Sequence, residues 1–132
     1  VNTVGTTDPY FVSTGDTTNI LPTDTNNIKL VRSGIYLVTL SLTSYQHSAT
    51  YSAKTIATIR GGTSVNPTSV ISAAYDNIAS TTSEADWSNA TATYVGEFSA
   101  NYYLRFKIEG LNTNDISIDT ATHASICLIR PL

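Results

Sequence analysis

The sequence predicts an all-β protein folded as an antiparallel sandwich of the jelly-roll kind, and three observations carry that prediction. Apolar and polar residues alternate along several short segments, most clearly over residues 102–109, where Tyr102, Leu104, Phe106 and Ile108 interleave with Tyr103, Arg105, Lys107 and Glu109. Side chains on a strand point to opposite faces with period two, whereas a helix would scatter the same apolar residues around its circumference. Clusters of Gly, Asn, Asp, Ser and Pro punctuate the chain about every ten residues. No heptads and no repeat of fixed period compete with that pattern.

Taken in order, residues 9–13 read as a short strand followed by a turn at 13–16, and residues 19–22 are extended because the position before Pro22 is pushed out of the helical region. Residues 28–31 form the next strand, broken by Arg32, Ser33 and Gly34. Residues 35–44 are the longest apolar strand, with Tyr36, Val38, Leu40 and Leu42 on one face. Ile35 and Leu37 on the other face place it centrally. Residues 54–60 read as a strand on the surface of the sandwich, ended by Gly61 and Gly62, and 70–75 as another. The polar stretch 76–89 reads as a loop with a helical turn at 83–86. Alternation resumes over 91–98, turns at 99–101, and continues through 102–109 to short strands at 116–118 and 124–129. Cys127 falls inside the last apolar run and is expected to be a buried, inert thiol.

Size and composition narrow the function. The 132 residues fit one domain, residues 1–132, large enough to bury roughly two-thirds of the surface its unfolded form exposes. A net charge of −3, a pI near 5.1 and seven dispersed basic residues argue against nucleic acid as a partner. Charged residues make up only 13%, with Thr, Ser and Asn abundant, a composition associated with extracellular and virion β-proteins. No apolar run approaches the roughly 18 residues of a membrane helix. The small polar residues that follow Val1 are expected to continue a longer protein whose N-terminal stalk is missing.

Residues 28–38, an apolar strand followed by Ser-Gly-x-Tyr and a second apolar strand, resemble the corresponding step of the C1q and tumour-necrosis-factor-like (TNF-like) superfamily. Residues 92–108 resemble its late hairpin, and 124–130 its closing core strand. Ala100-Asn101 stands where the family usually has Gly-Asp, and calcium-type acidic clusters are missing, which points toward the trimeric tips of phage tail needles and fibres or of spore-surface filaments. The resemblance implies a jelly roll that packs as a homotrimer above a fibrous stalk. It implies no enzymatic activity, no cofactor and no metal.

The residue inventory supports the same direction. His47 and His123 lack the companion ligands of a metal site. Asp115 and Asp119 lack the spacing of a calcium loop and read as turn residues. No Gly-x-Ser-x-Gly elbow holds a nucleophilic serine, and Glu84 and Asp86 beside Trp87 read as solvated carboxylates. Tyr103, Arg105, Lys107 and Arg130 form the remaining group, to be read as a solvated strand face, a protomer interface, or a pocket for a small anionic ligand between subunits. Glu97 or Glu109 would balance its charge.

The expectation is therefore a non-enzymatic trimeric knob at the tip of a phage tail needle or fibre, extracellular on the virion, that contacts a host cell-surface glycan or protein. The alternative is a carbohydrate-binding β-sandwich with Trp87 as its sugar platform, or a capsid decoration protein.

Overall fold

The computed structural model describes residues 2–3, 16, 18–24, 27–46, 53–78, 86–111, 116–119 and 121–132. They form ten strands: β1 (Asn2–Thr3), β2 (Ile20–Pro22), β3 (Asn27–Leu30), β4 (Gly34–Gln46), β5 (Ala53–Gly62), β6 (Val70–Ile78), β7 (Asp86–Phe98), β8 (Tyr102–Leu111), β9 (Ile116–Ile118) and β10 (His123–Pro131). There is no helix among the described residues. The strand and turn expected at 9–15, the helical turn at 83–85, and His47, Glu84 and Asp115 lie outside the described residues.

The strands build two five-stranded antiparallel sheets. In sheet I, β7 pairs with the full length of β4, while β10 pairs with residues 34–41 of β4 and β9 with residues 44–46. Thr43 sits between the last two pairings. There the Thr122 hydroxyl accepts from the Thr43 N–H at 3.0 Å and donates to its carbonyl at 3.0 Å, a carbonyl that also accepts from the Asp119 N–H at 2.9 Å, so a side chain stands in for the ladder partner of the Thr43 N–H. Sheet II has the order β2-β3-β8-β5-β6.

The core lies between the sheets because alternation aims one apolar set inward from each. Sheet I contributes Tyr36, Val38, Leu40, Leu42, Ala92 and Phe98, and sheet II contributes Ile28, Leu30, Ala57, Ile59, Leu104, Phe106 and Ile108, all buried. The Gly34-x-Tyr36 step has a physical reason. A Cβ at Gly34 would lie 2.5 Å from Leu128 Cδ1 and 2.8 Å from the Arg130 carbonyl oxygen, so only glycine allows β10 this close. Tyr36 buries its ring and donates its hydroxyl to the Arg32 carbonyl at 2.7 Å.

Three expectations need correction. Residues 54–60 belong to β5, second from the edge of sheet II, and Thr55, Ala57, Thr58 and Ile59 are buried. The Thr58 hydroxyl donates to the Lys107 carbonyl at 2.9 Å, which lets a polar residue occupy that position. The polar stretch 76–89 is strand at both ends, where β6 runs to Ile78 and β7 begins at Asp86. Ser88 and Ala90 fill the inward positions of β7 with little bulk, so no run of large apolar residues marks the strand. Cys127 is exposed, because Ala124, Ile126 and Leu128 take the inward positions of β10.

Candidate functional site

The face predicted from β8 exists. Tyr103, Arg105, Lys107 and Glu109 all lie on the outer side of sheet II, half-buried, opposite Leu104, Phe106 and Ile108. Register brings neighbours to this row from β3 and β5. Lys29 pairs with Tyr103, Asn27 and Arg60 flank Arg105, Thr58 pairs with Lys107, and Ile56 pairs with Glu109. Lys29 Nζ stands 6.0 Å from the centroid of the Tyr103 ring. That distance is within the range of a cation–π contact.

The row carries its own counter-charge. Arg60 Nη2 donates to Glu109 Oε1 at 2.8 Å, and Lys107 Nζ lies 3.8 Å from the same oxygen. Glu109 stands four residues along β8 from Arg105, the residue paired with Arg60, so the Arg60 side chain lies flat along the face. Arg60 and Lys107 side chains are consequently only 15% and 17% exposed. Arg60 Nε is buried with no hydrogen-bond partner among the described residues. Glu109, one of the two carboxylates named from the sequence, thus pairs with two of the row's cations within one chain, whereas Glu97 is exposed on β7 of sheet I.

Beside Arg105, the buried Asn27 ties two corners to the sheet. Its Nδ2 donates to Asp24 Oδ2 at 3.0 Å and to Asn66 Oδ1 at 2.9 Å, and its Oδ1 accepts from the Asn66 N–H at 2.8 Å. Asn66 adopts φ of 55°, a left-handed conformation that asparagine tolerates.

The remaining candidates lie elsewhere. Arg130 sits beyond a bulge in β10 of sheet I, in register with Ile35, and is exposed. It does not join Tyr103, Arg105 and Lys107. Trp87 is on the outer face of sheet I, 55% exposed, in register with Tyr45, with ring centroids 4.8 Å apart. His123 is exposed and its Nδ1 lies 2.9 Å from the Ala121 carbonyl, while Asp119 Oδ2 accepts from the Ala121 N–H at 2.9 Å and caps the turn. No group of three or more His, Cys, Asp and Glu side chains suited to a metal occurs among the described residues.

A second surface escaped the sequence reading. The outer face of sheet I gathers Leu37, Val95 and Cys127 in one register row, with Ile35 and Ile129 beside it. Val95 is 58% exposed and Ile129 55%. Next come polar pairs: the Thr39 and Ser125 hydroxyls at 2.6 Å, and the Thr43 hydroxyl donating to the Asn89 amide oxygen Oδ1 at 3.1 Å. The apolar residues at 35 and 37 were the available signal. Val95, Cys127 and Ile129 join them only through pairing between distant segments.

No family model matches the sequence, and no curated protein does. Solved structures do match. Murine APRIL at pH 5.0 superposes with a TM-score of 0.60 at 13% identity over 99% of this chain and 95% of that one. Eiger TNF from S. frugiperda gives 0.58 at 11% identity over 86% of this chain and 68% of that one. The fold is a TNF-like jelly roll. Murine APRIL at pH 8.5, at 0.54 and 12% identity over 99% of this chain and 94% of that one, agrees. At these identities the likeness is one of fold.

Proposed function

We propose that the chain is the non-enzymatic, homotrimeric knob of a fibre or needle, of the phage-tail kind that the sequence resembles, displayed outside the cell on a virion tip and contacting a host surface. The observation that carries this reading is the outer face of sheet I, where Leu37, Val95, Cys127, Ile35 and Ile129 form an apolar patch bordered by Glu97 and Arg130, the register partners of Ile35. Val70 and Tyr75 on the edge strand β6 add exposed apolar area at a different place on the surface. A face on one protomer that meets an edge on the next is a heterologous contact, and such contacts close into a ring when the rotation allows. The TNF-like fold is consistent with closure at three copies, as the resemblance implies.

In this arrangement sheet I turns toward the axis and the outer face of sheet II turns away from it. Glu109 pairs with both Arg60 and Lys107 inside one chain and leaves the row with a net positive charge. The row is then an outward contact surface. Sedimentation equilibrium at micromolar concentration tests the reading: a particle of three times 14.1 kDa is expected, and a monomer overturns it.

A second reading has one specific observation in its favour. The exposed Trp87 beside Tyr45 offers an aromatic surface for a pyranose ring, which suits a monomeric carbohydrate-binding module.

A further inference from the structure

We propose that the outer face of sheet II binds an acidic polysaccharide, a polymer of pyranose rings bearing carboxylates, through Lys29, Tyr103, Arg105, Lys107 and Arg60. The inference deepens the knob reading and rests on it for the outward position of this face. Its basis is a segregation of charge. Lys29, Arg60, Arg105 and Lys107 are four of the seven basic residues of the chain, and Glu109 within the row and Asp24 at its margin are the acidic residues placed with them among the described residues. An acidic protein of net charge −3 has thus collected most of its positive charge on one sheet face. Such a face raises the local concentration of anions and steers them to it.

The arrangement favours a polymer over a small ion. Neighbouring strands stand about 4.8 Å apart and alternate residues along a strand about 7 Å apart, so the cations form a spread array and converge on no single point. Tyr103 lies within that array against Lys29, so an aromatic ring stands beside the charges. Pyranose rings with pendant carboxylates present both complements at once. Arg60 also keeps donors in hand. A guanidinium has five N–H groups, and the ion pair with Glu109 engages Nη2. Three such faces around a trimer would add avidity along one polymer.

The test uses immobilised polygalacturonic acid, with uncharged dextran and single-stranded DNA as comparison surfaces, and the same samples are weighed by light scattering. Wild type is expected to bind polygalacturonate in about 50 mM NaCl and to lose at least ~10-fold in affinity in about 200 mM NaCl, as screening requires. Lys29→Glu/Lys107→Glu should lose at least ~10-fold, and Arg130→Glu, on the other sheet, less than ~2-fold. Circular dichroism checks that each variant folds. Should the double variant fail to fold, Lys29→Gln replaces it, with a loss of at least ~3-fold expected. A trimer that ignores polygalacturonate, binds dextran equally, prefers DNA, or is weakened as much by Arg130→Glu as by the double variant overturns the inference and leaves the knob reading standing. A monomer that still binds in a salt-sensitive way does the reverse.

Discussion

The two outer faces of this sandwich obey the same alternation and have opposite chemistry. On sheet I the outward positions at the middle of β4, β7 and β10 carry Leu37, Val95, Cys127, Thr39, Ser125 and Thr93, short side chains without charge, and Glu97 and Arg130 stand at the end beside Ile35. On sheet II those of β3, β5 and β8 carry Lys29, Arg60, Tyr103, Arg105, Lys107 and Glu109, long side chains that lie along the surface and pair. The inner faces are alike, both aliphatic and aromatic. The core specifies that two sheets stack, and the outer faces are where the sequence is free to differ. Short uncharged side chains let another sheet approach closely with little desolvation cost, whereas long charged ones hold water and ions.

The sharpest way to separate inward from outward roles is on one strand. Phe106→Ala should destabilise the domain by about 3–5 kcal/mol, since the ring is buried between the sheets. Tyr103→Ala, one residue away and half-buried on the outer face, should cost less than about 1.5 kcal/mol. Urea titration of both proteins measures the difference; equal losses would mean that β8 does not divide its faces in this way. The contrast between the faces can then be broken by giving sheet I a charge. Val95→Glu should weaken self-association by more than ~10-fold, about 1.4 kcal/mol, while the melting of each protomer changes little. Unchanged sedimentation of that variant would remove sheet I from the interface.

Two smaller effects sharpen the comparison. Glu109→Gln removes the shared partner of Arg60 and Lys107, but Glu109 is 31% exposed and the pair is screened, so the expected loss is about 0.5–1 kcal/mol. That loss should shrink in high salt, and a salt-independent loss would assign it to packing. Asp16, on an exposed turn, accepts from the Asn19 side chain at 2.9 Å and from the Asn19 and Thr18 backbone N–H groups at 3.0 and 3.1 Å. These bonds favour the charged carboxylate and hold its pKa below the ordinary 3.8, the Asn19 side chain most of all. A lowered folded pKa stabilises the fold above the unfolded value, and that contribution disappears as pH falls through the folded value. An NMR titration of Asp16 that gave an ordinary or raised value would contradict this turn geometry.

Much of this was legible in the sequence. Residues 102–109 displayed their two faces through large apolar side chains set against charged ones, and residues 36–42 announced the central strand in the same way. Ser88 and Ala90 did not, because small inward residues leave no contrast with the polar outward ones. Cys127 misled because it and Ile129 are apolar although both face outward, so a one-sided strand looked like a fully buried run. The partners of the basic row were hidden for another reason. Lys29 and Arg60 reach Tyr103 and Arg105 from segments more than forty residues away in sequence, and only the pairing of β3 and β5 with β8 brings them together.

The pairing of β10 with β4 has a consequence for biosynthesis. Ile126 opposes Val38 and Pro131 opposes Gly34, so the seam at the centre of sheet I joins residues nearly a hundred positions apart. Contacts of such separation make folding slow, since a long loop must close before any of them forms. During translation β4 and β7 emerge well before β10, and until residue 131 has left the ribosome one edge of β4 stays open along residues 34–41. An open edge of alternating apolar residues is a template for pairing with other nascent chains. Synthesis on crowded polysomes is therefore the stage at which this domain is most exposed to misassembly, and release of the last strand is the event that ends the exposure.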